Sequence, residues 1–175
     1  MTRQMSEDRA QLAHPLIAVP SHDELAEQLF VRDLKLYVMQ QIEPVQGQIA
    51  AQEAKALEGA ETNSTAALRE RMARHESFGS WLAIKRESQR QLWHGVARSV
   101  ERQADTLEAL ADIPDPRGSV RTDPDFVEPA YIAQGDIHLM PGGNALDDGS
   151  ILQGAVMDRG GAVYMLGRNG GMLND

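Results

Sequence analysis

Glycine and proline are spread so unevenly along this chain that one uniform architecture is excluded. Eleven of the fifteen glycines lie between Gly118 and Gly171, and only Gly47, Gly59, Gly79 and Gly95 precede them. The two parts are joined by ADIPDPRGSVRTDPDFVEP, which holds four prolines and several acids. Proline removes a backbone donor and biases the residue before it to extended geometry, so residues 112–129 read as an extended connector. A length of 175 residues allows one domain with a real core, or a helical part joined to a small second unit.

Before the connector the pattern is helical, after a charged N-terminus over residues 1–20 that reads as flexible. Ser21 and Glu24 make a capping box, each side chain satisfying a backbone N–H left open in the first turn. Leu25, Leu29, Arg32 and Leu36, beside Phe30, Leu34 and Val38, then recur at helical spacing. Pro44 is expected to kink or end this helix near Gln41, with a continuation to about Leu57. Gly59 suits a helix C-terminus, and Asn63 or Ser64 can cap the next start. Leu68, Met72, His75, Leu82, Trp93, Val96, Val100, Ala104 and Leu107 trace a second long stretch ending near Leu110, with a break at Gly79 allowed. Residues 21–111 thus read as a helical hairpin or bundle that needs further surface to pack on.

After the connector the period shifts toward two. Ala130 to Ile137, Ser150 to Val156 and Ala162 to Leu166 are short apolar or alternating runs separated by glycine, asparagine and aspartate, the pattern of small antiparallel strands with tight turns. The expected fold class is α+β, mainly α: a long helical hairpin, the connector, and a glycine-rich antiparallel β unit over 130–175. In GDIHLMPGGN, Pro141 fixes one dihedral of a turn and Gly142 and Gly143 accept positive φ.

Charge and residue content narrow the function classes. A formal net charge of -9 without a basic run argues against a general nucleic-acid binder. The absence of cysteine excludes disulfides, thiolate metal sites and a cysteine nucleophile. No apolar run approaches the roughly 18–20 residues that span a bilayer, so the chain reads as soluble and cytoplasmic, with no membrane partner.

Several groups could carry chemistry. Asp136 and His138, at i and i+2, would share a strand face, where the aspartate can orient the imidazole for proton transfer or metal binding. With Asp158 and Asp147 or Asp148 they could form a histidine and carboxylate site, but nothing in the spacing requires one, and a hydrogen-bonding role comes first. GGNALDDGS resembles a single unit of a calcium-binding repeat, which needs stacked copies. The glycines of MLGRNGGMLND, Gly167 among them, match neither a phosphate loop nor a dinucleotide fingerprint. Trp81, Trp93, Met72 and Phe78 could line a pocket for a flat ligand, although aromatics and methionine at helical spacing are more often core. His75 and His94 are too far apart to share a metal and read as cap or surface residues.

Three elements in order, AYIAQGDIHLMPGG, then LQGAVMDRGG, then the glycine-rich segment ending in LND, resemble the region upstream of the catalytic core in a family of bacterial class I S-adenosylmethionine (SAM)-dependent methyltransferases. QRQLWHGVARSVERQ is similar to the helix that leads into it. The resemblance covers roughly residues 85–175 and departs from the family where GGNALDD replaces an expected aromatic. It implies a substrate-recognition, lid or assembly region that is not catalytic alone, with SAM held by a core in cis or in trans. The given residues lack the glycine-rich turn after a first strand with which such cores hold the cofactor. On residue chemistry, Asp136, His138, Asp158, Arg159 and Tyr164 are the candidates for substrate contacts: Arg159 for an anionic group, His138 oriented by Asp136 for proton handling, Tyr164 for stacking. Gly142, Gly143 and Gly167 would shape the backbone around them. Two further readings rank below this one. They are a non-catalytic module that dimerises or docks a partner through the helical half, and a small metal-dependent enzyme using Asp136 and His138.

Overall fold

The computed structural model describes residues 16–57, 64–112, 114–115, 118–119, 121–127, 129–133, 138–142 and 149–165. Its elements are α1 (His22–Tyr37), a π-helical turn (Val38–Ile42), α2 (Glu43–Lys55), α3 (Thr65–Met72), α4 (Glu76–Glu101), α5 (Ala104–Ala111), the short α6 (Ala130–Ala133) and α7 (Leu152–Tyr164). The long α4 is the spine: α1 and α7 both pack along it and against each other, while α2 folds back on α3.

The start of α1 follows from its sequence. Ser21 Oγ accepts from the Glu24 backbone N–H at 3.3 Å, and Glu24 Oε2 accepts from the Ser21 N–H at 2.7 Å. Arg102, just past α4, clasps the same carboxylate at 2.9 and 2.8 Å and also donates to the Val19 carbonyl. These contacts seat the entering chain, where Ala18 is fully buried. The Arg102 guanidinium is the main reason the Glu24 carboxyl is lowered from its ordinary value to about 2. A lowered folded pKa contributes stability above the unfolded value, and this contribution is lost as pH falls toward 2. Glu24→Gln is therefore expected to cost about 0.5–1 kcal/mol near neutrality, the partly exposed ion pair with Arg102, since glutamine at this position can keep the bond to the Ser21 N–H. The gap to the parent protein should close between pH 5 and pH 2 in urea titrations.

Pro44 does not end the first helical run. It cannot donate to the carbonyl four residues back, and the π-turn immediately before it widens the helix so that the Glu43 N–H reaches the Val38 carbonyl. The chain stays helical through Lys55. Ser64 caps α3, its Oγ accepting from Ala67 N–H at 3.2 Å. The break in the second stretch comes at Ala73–His75 rather than at Gly79, which lies inside α4. His75 takes the N-cap position in extended geometry. Glu53 on α2 holds this corner, accepting from Arg71 at 2.6 Å and pairing with His75 Nε2 at 2.8 Å.

The buried face of α1 is not its most apolar stripe. Gln28 and Val31, and Val38 in the π-turn that follows, are buried, while Leu25, Leu29 and Phe30 remain exposed by 40, 39 and 63%. What turns α1 this way is a polar network: Gln28 Nε2 donates to Ser99 Oγ at 2.9 Å and to the Gly95 carbonyl at 3.2 Å on α4.

The glycine-rich part corrects the expected fold class. No strand occurs among the described residues, and the antiparallel β unit assigned to 130–175 is replaced there by helix: Ala130–Ala133 is α6, and Leu152–Tyr164, which spans most of two expected strands, is α7. Leu152, Ala155, Val156, Gly160 and Val163 follow a helical face, and Ala155, Val156 and Val163 join one core with Ala18, Val31, Leu92, Trp93, Val96 and Val100. Three interior glycines cost roughly 1 kcal/mol each relative to alanine, so α7 is stabilised by docking rather than by propensity. Gly160 is what permits the docking. A Cβ built there would stand 2.2 Å from Trp93 Cζ3, so the indole lies directly on the helix backbone.

Candidate functional site

The described end of GDIHLMPGGN is a backbone clamp. Trp93 Nε1 and Gln89 Nε2, both on α4, donate to the His138 carbonyl at 2.6 and 3.0 Å. Leu139 then takes the left-handed region at φ 56°, Met140 is buried, and Gly142 turns the chain at φ 76°, as expected for a proline–glycine turn. A leucine in that region is strained by roughly 1–2 kcal/mol. The two hydrogen bonds to the preceding carbonyl and the burial of Met140 hold it there.

The clamp forms one wall of an open cleft of about 890 Å³. Its other walls are the last turn of α1, the π-turn and the start of α2, with Lys35, Val38, Met39 and Glu43, the middle of α4, with Leu82, Lys85 and Gln89, and Tyr164 at the end of α7. The His138 imidazole meets Tyr164 edge-on, with ring centres 6.2 Å apart, and Tyr164 stacks on Trp93 at 6.4 Å. Lys35 Nζ lies 5.8 Å from the Tyr164 ring centre and donates to Gln89 Oε1 at 2.6 Å. Burial, and next the charge of Lys85, push the Lys35 ammonium below its ordinary pKa, against the opposite pull of Glu43. Lys85 pairs with Glu43 at 2.7 Å and lies over Trp81, its Nζ 4.9 Å from the ring centre.

The sequence-derived candidates separate in space. His138 and Tyr164 line the cleft. Arg159 turns instead into the helix seam, donating through Nε and Nη2 to Gln28 Oε1 at 3.0 and 2.6 Å. Burial lowers its pKa, with neighbouring Asp158 acting in the opposite sense. Asp158 is part-buried on α7, and Gly142 shapes the turn. Asp136, Gly143 and Gly167, like Asp147 and Asp148, lie outside the described residues. Of the aromatic set, Trp93 is core, while Met72, Phe78 and Trp81 line a second, smaller hollow of about 530 Å³ between α2, α3 and α4.

Sequence reasoning missed Lys35, Lys85, Gln89 and Gln28. One signal was present: Gln28 and Lys35 share a helical face with Val31 and Val38, and a polar side chain inside such a stripe must find a partner.

Among the described residues no group of three histidine, aspartate or glutamate side chains is placed to hold a metal ion, and no helix is long and apolar enough to cross a membrane. Nor do they contain a strand, glycine-rich turn and helix in succession, the unit that holds SAM in a class I core. Compared with known proteins, the chain matches no family model, no curated protein and no solved structure at a significant level.

Proposed function

We propose that this chain is a substrate-recognition and assembly region, not catalytic alone, that works with a SAM-dependent methyltransferase core in cis or in trans. The observation that carries the reading is the meeting of His138 and Tyr164 at the cleft rim. These residues come from two separate elements of the methyltransferase resemblance. Both are fixed to α4, His138 by the carbonyl clamp and Tyr164 through the docking of α7. A rigid, partly apolar hollow with a few convergent polar groups is the usual form of a small-molecule site, and a core that contacts α7 would meet a ligand held there.

The test is photocrosslinking of radiolabelled SAM in an extract of the source cells, followed by precipitation with an antibody to this chain. Label is expected on a polypeptide that contains this chain together with a core, or on one that co-precipitates with it. The purified 175-residue chain is expected to take up none. Precipitates without label, or strong labelling of the isolated chain, would refute the proposal.

A further inference from the structure

The charge of the cleft is opposite to that of the protein. On a chain of formal net charge -9, the cleft is lined by four cations, Lys35, Arg69, Lys85 and Arg86, and by one carboxylate, Glu43. Glu43 is taken by Lys85. Among the described residues Arg69 and Arg86 have no ion pair, and the hydrogen-bond partner of Lys35 is the neutral amide of Gln89. A half-buried ammonium that has Lys85 as a neighbour, and whose nearby carboxylate, Glu43, is already paired with that lysine, is an arrangement that costs folding free energy. An anion placed among these groups would remove that cost, and in a partly desolvated cleft its charge-assisted hydrogen bonds would be stronger than at an open surface.

The rest of the lining describes the remainder of the ligand. Met39, Leu82 and Tyr164 present apolar and aromatic surface beside the cations, with Leu82 and Tyr164 still about two-fifths exposed. Tyr164 is held by its stacking on Trp93 and its edge contact with His138, so the ring offers a preset surface rather than a mobile one. The Leu139 and His138 wall is pinned by the bonds from Gln89 and Trp93. Gln89 serves both sides at once, accepting from Lys35 and donating to the His138 carbonyl, so the ammonium is oriented by the same amide that fixes the wall.

We propose that this cleft binds a small planar molecule bearing a carboxylate or phosphate group, with the anion set between Lys35 and Lys85 and the ring packed against Tyr164, Met39 and Leu82. This names the ligand class for the recognition role above, and it rests on that reading only for the ligand being a methyl acceptor. Binding itself requires no core.

The experiment is isothermal titration of the chain with two anionic probes, 4-hydroxybenzoate and adenosine 5′-monophosphate, and with their uncharged counterparts, 4-hydroxybenzamide and adenosine. At least one anion is expected to bind about tenfold or more tighter than its neutral counterpart, which also decides between carboxylate and phosphate. K35M keeps the aliphatic stem and removes the charge, and it should lower that affinity about tenfold or more. Y164A should do the same, and R98Q, at a residue that pairs with Glu27 and does not line the cleft, should leave it unchanged. K85M reads the same charge from the other wall if K35M does not fold. Equal affinity for neutral and charged probes, no binding of either anion, or full affinity in a folded lysine variant overturns the inference. Because these titrations use the chain alone, their failure is separable from a failure of the SAM crosslinking test.

Discussion

Replacing Gln28 with leucine is expected to destabilise the protein by roughly 3 kcal/mol or more, the range found when one partner of a buried charged pair or network is removed. Gln28 is 1% exposed, and its amide does two tasks: Nε2 donates to Ser99 and Gly95 on α4, and Oε1 accepts both bonds from Arg159 on α7. Loss of the amide strands a guanidinium whose pKa burial already lowers. Arg159→Met alone should cost less, because it leaves a neutral carbonyl oxygen unpaired rather than a charge. The Q28L/R159M double variant should be more stable than Q28L by roughly 1 kcal/mol or more, since an apolar pair in place of a polar one is tolerated far better than a broken pair. Urea unfolding of the four proteins measures the coupling. If R159M cost nothing and the double variant equalled Q28L, Arg159 would have no part in holding α7, and its guanidinium would be available to a ligand after all.

The second large effect reverses the sign that helix propensity alone would give. Gly160→Ala should lower stability by roughly 1–3 kcal/mol net, because overpacking against a fixed ring outweighs the propensity gain of about 1 kcal/mol. The added Cβ would fall 2.2, 2.9 and 3.1 Å from three atoms of the Trp93 ring, whose side chain is the centre of the core at 2% exposure. Gly154→Ala lies in the same helix with nothing within 4 Å of its Cβ, and it should stabilise by roughly 0.5–1 kcal/mol. Opposite shifts in thermal midpoint are expected for the two variants, together with a red shift of Trp93 emission in G160A alone. Two shifts of the same sign would mean that Trp93 does not lie on the α7 backbone.

Both predictions bear on the cleft. Tyr164 is the last residue of α7 and stacks on Trp93, so a variant that loosens α7 should also disturb the wall on which a planar ligand would rest. The stability network and the proposed recognition surface share Trp93: one edge of the indole packs on Gly160, while its Nε1 holds the His138 carbonyl.

Much of the helical half was written in the sequence. The Ser21–Glu24 box, the Ser64 cap and the long run through Trp93 to Val100 all rest on local rules, where the residue and its near neighbours contain the whole physical reason. The turn at Pro141–Gly142 was legible for the same cause, since proline and glycine act on their own dihedrals. His138 and Tyr164 stood out as single candidates, but nothing local showed that they meet at one cleft.

What only the tertiary structure decided was everything that depends on a partner distant in sequence. The period of α7 was present in Leu152, Ala155, Val156 and Val163, but three glycines looked like strand and turn punctuation, and only the indole of Trp93 shows why Gly160 must be small. The face that α1 buries was set by Gln28 meeting Ser99 and Arg159, 71 and 131 residues away, rather than by the count of leucines. The cationic cleft collects one cation each from α1 and α3 and two from α4. None of these marks itself in one dimension, because a lysine such as Lys35 looks solvated among helix charges until packing half-buries it and places Lys85 near it.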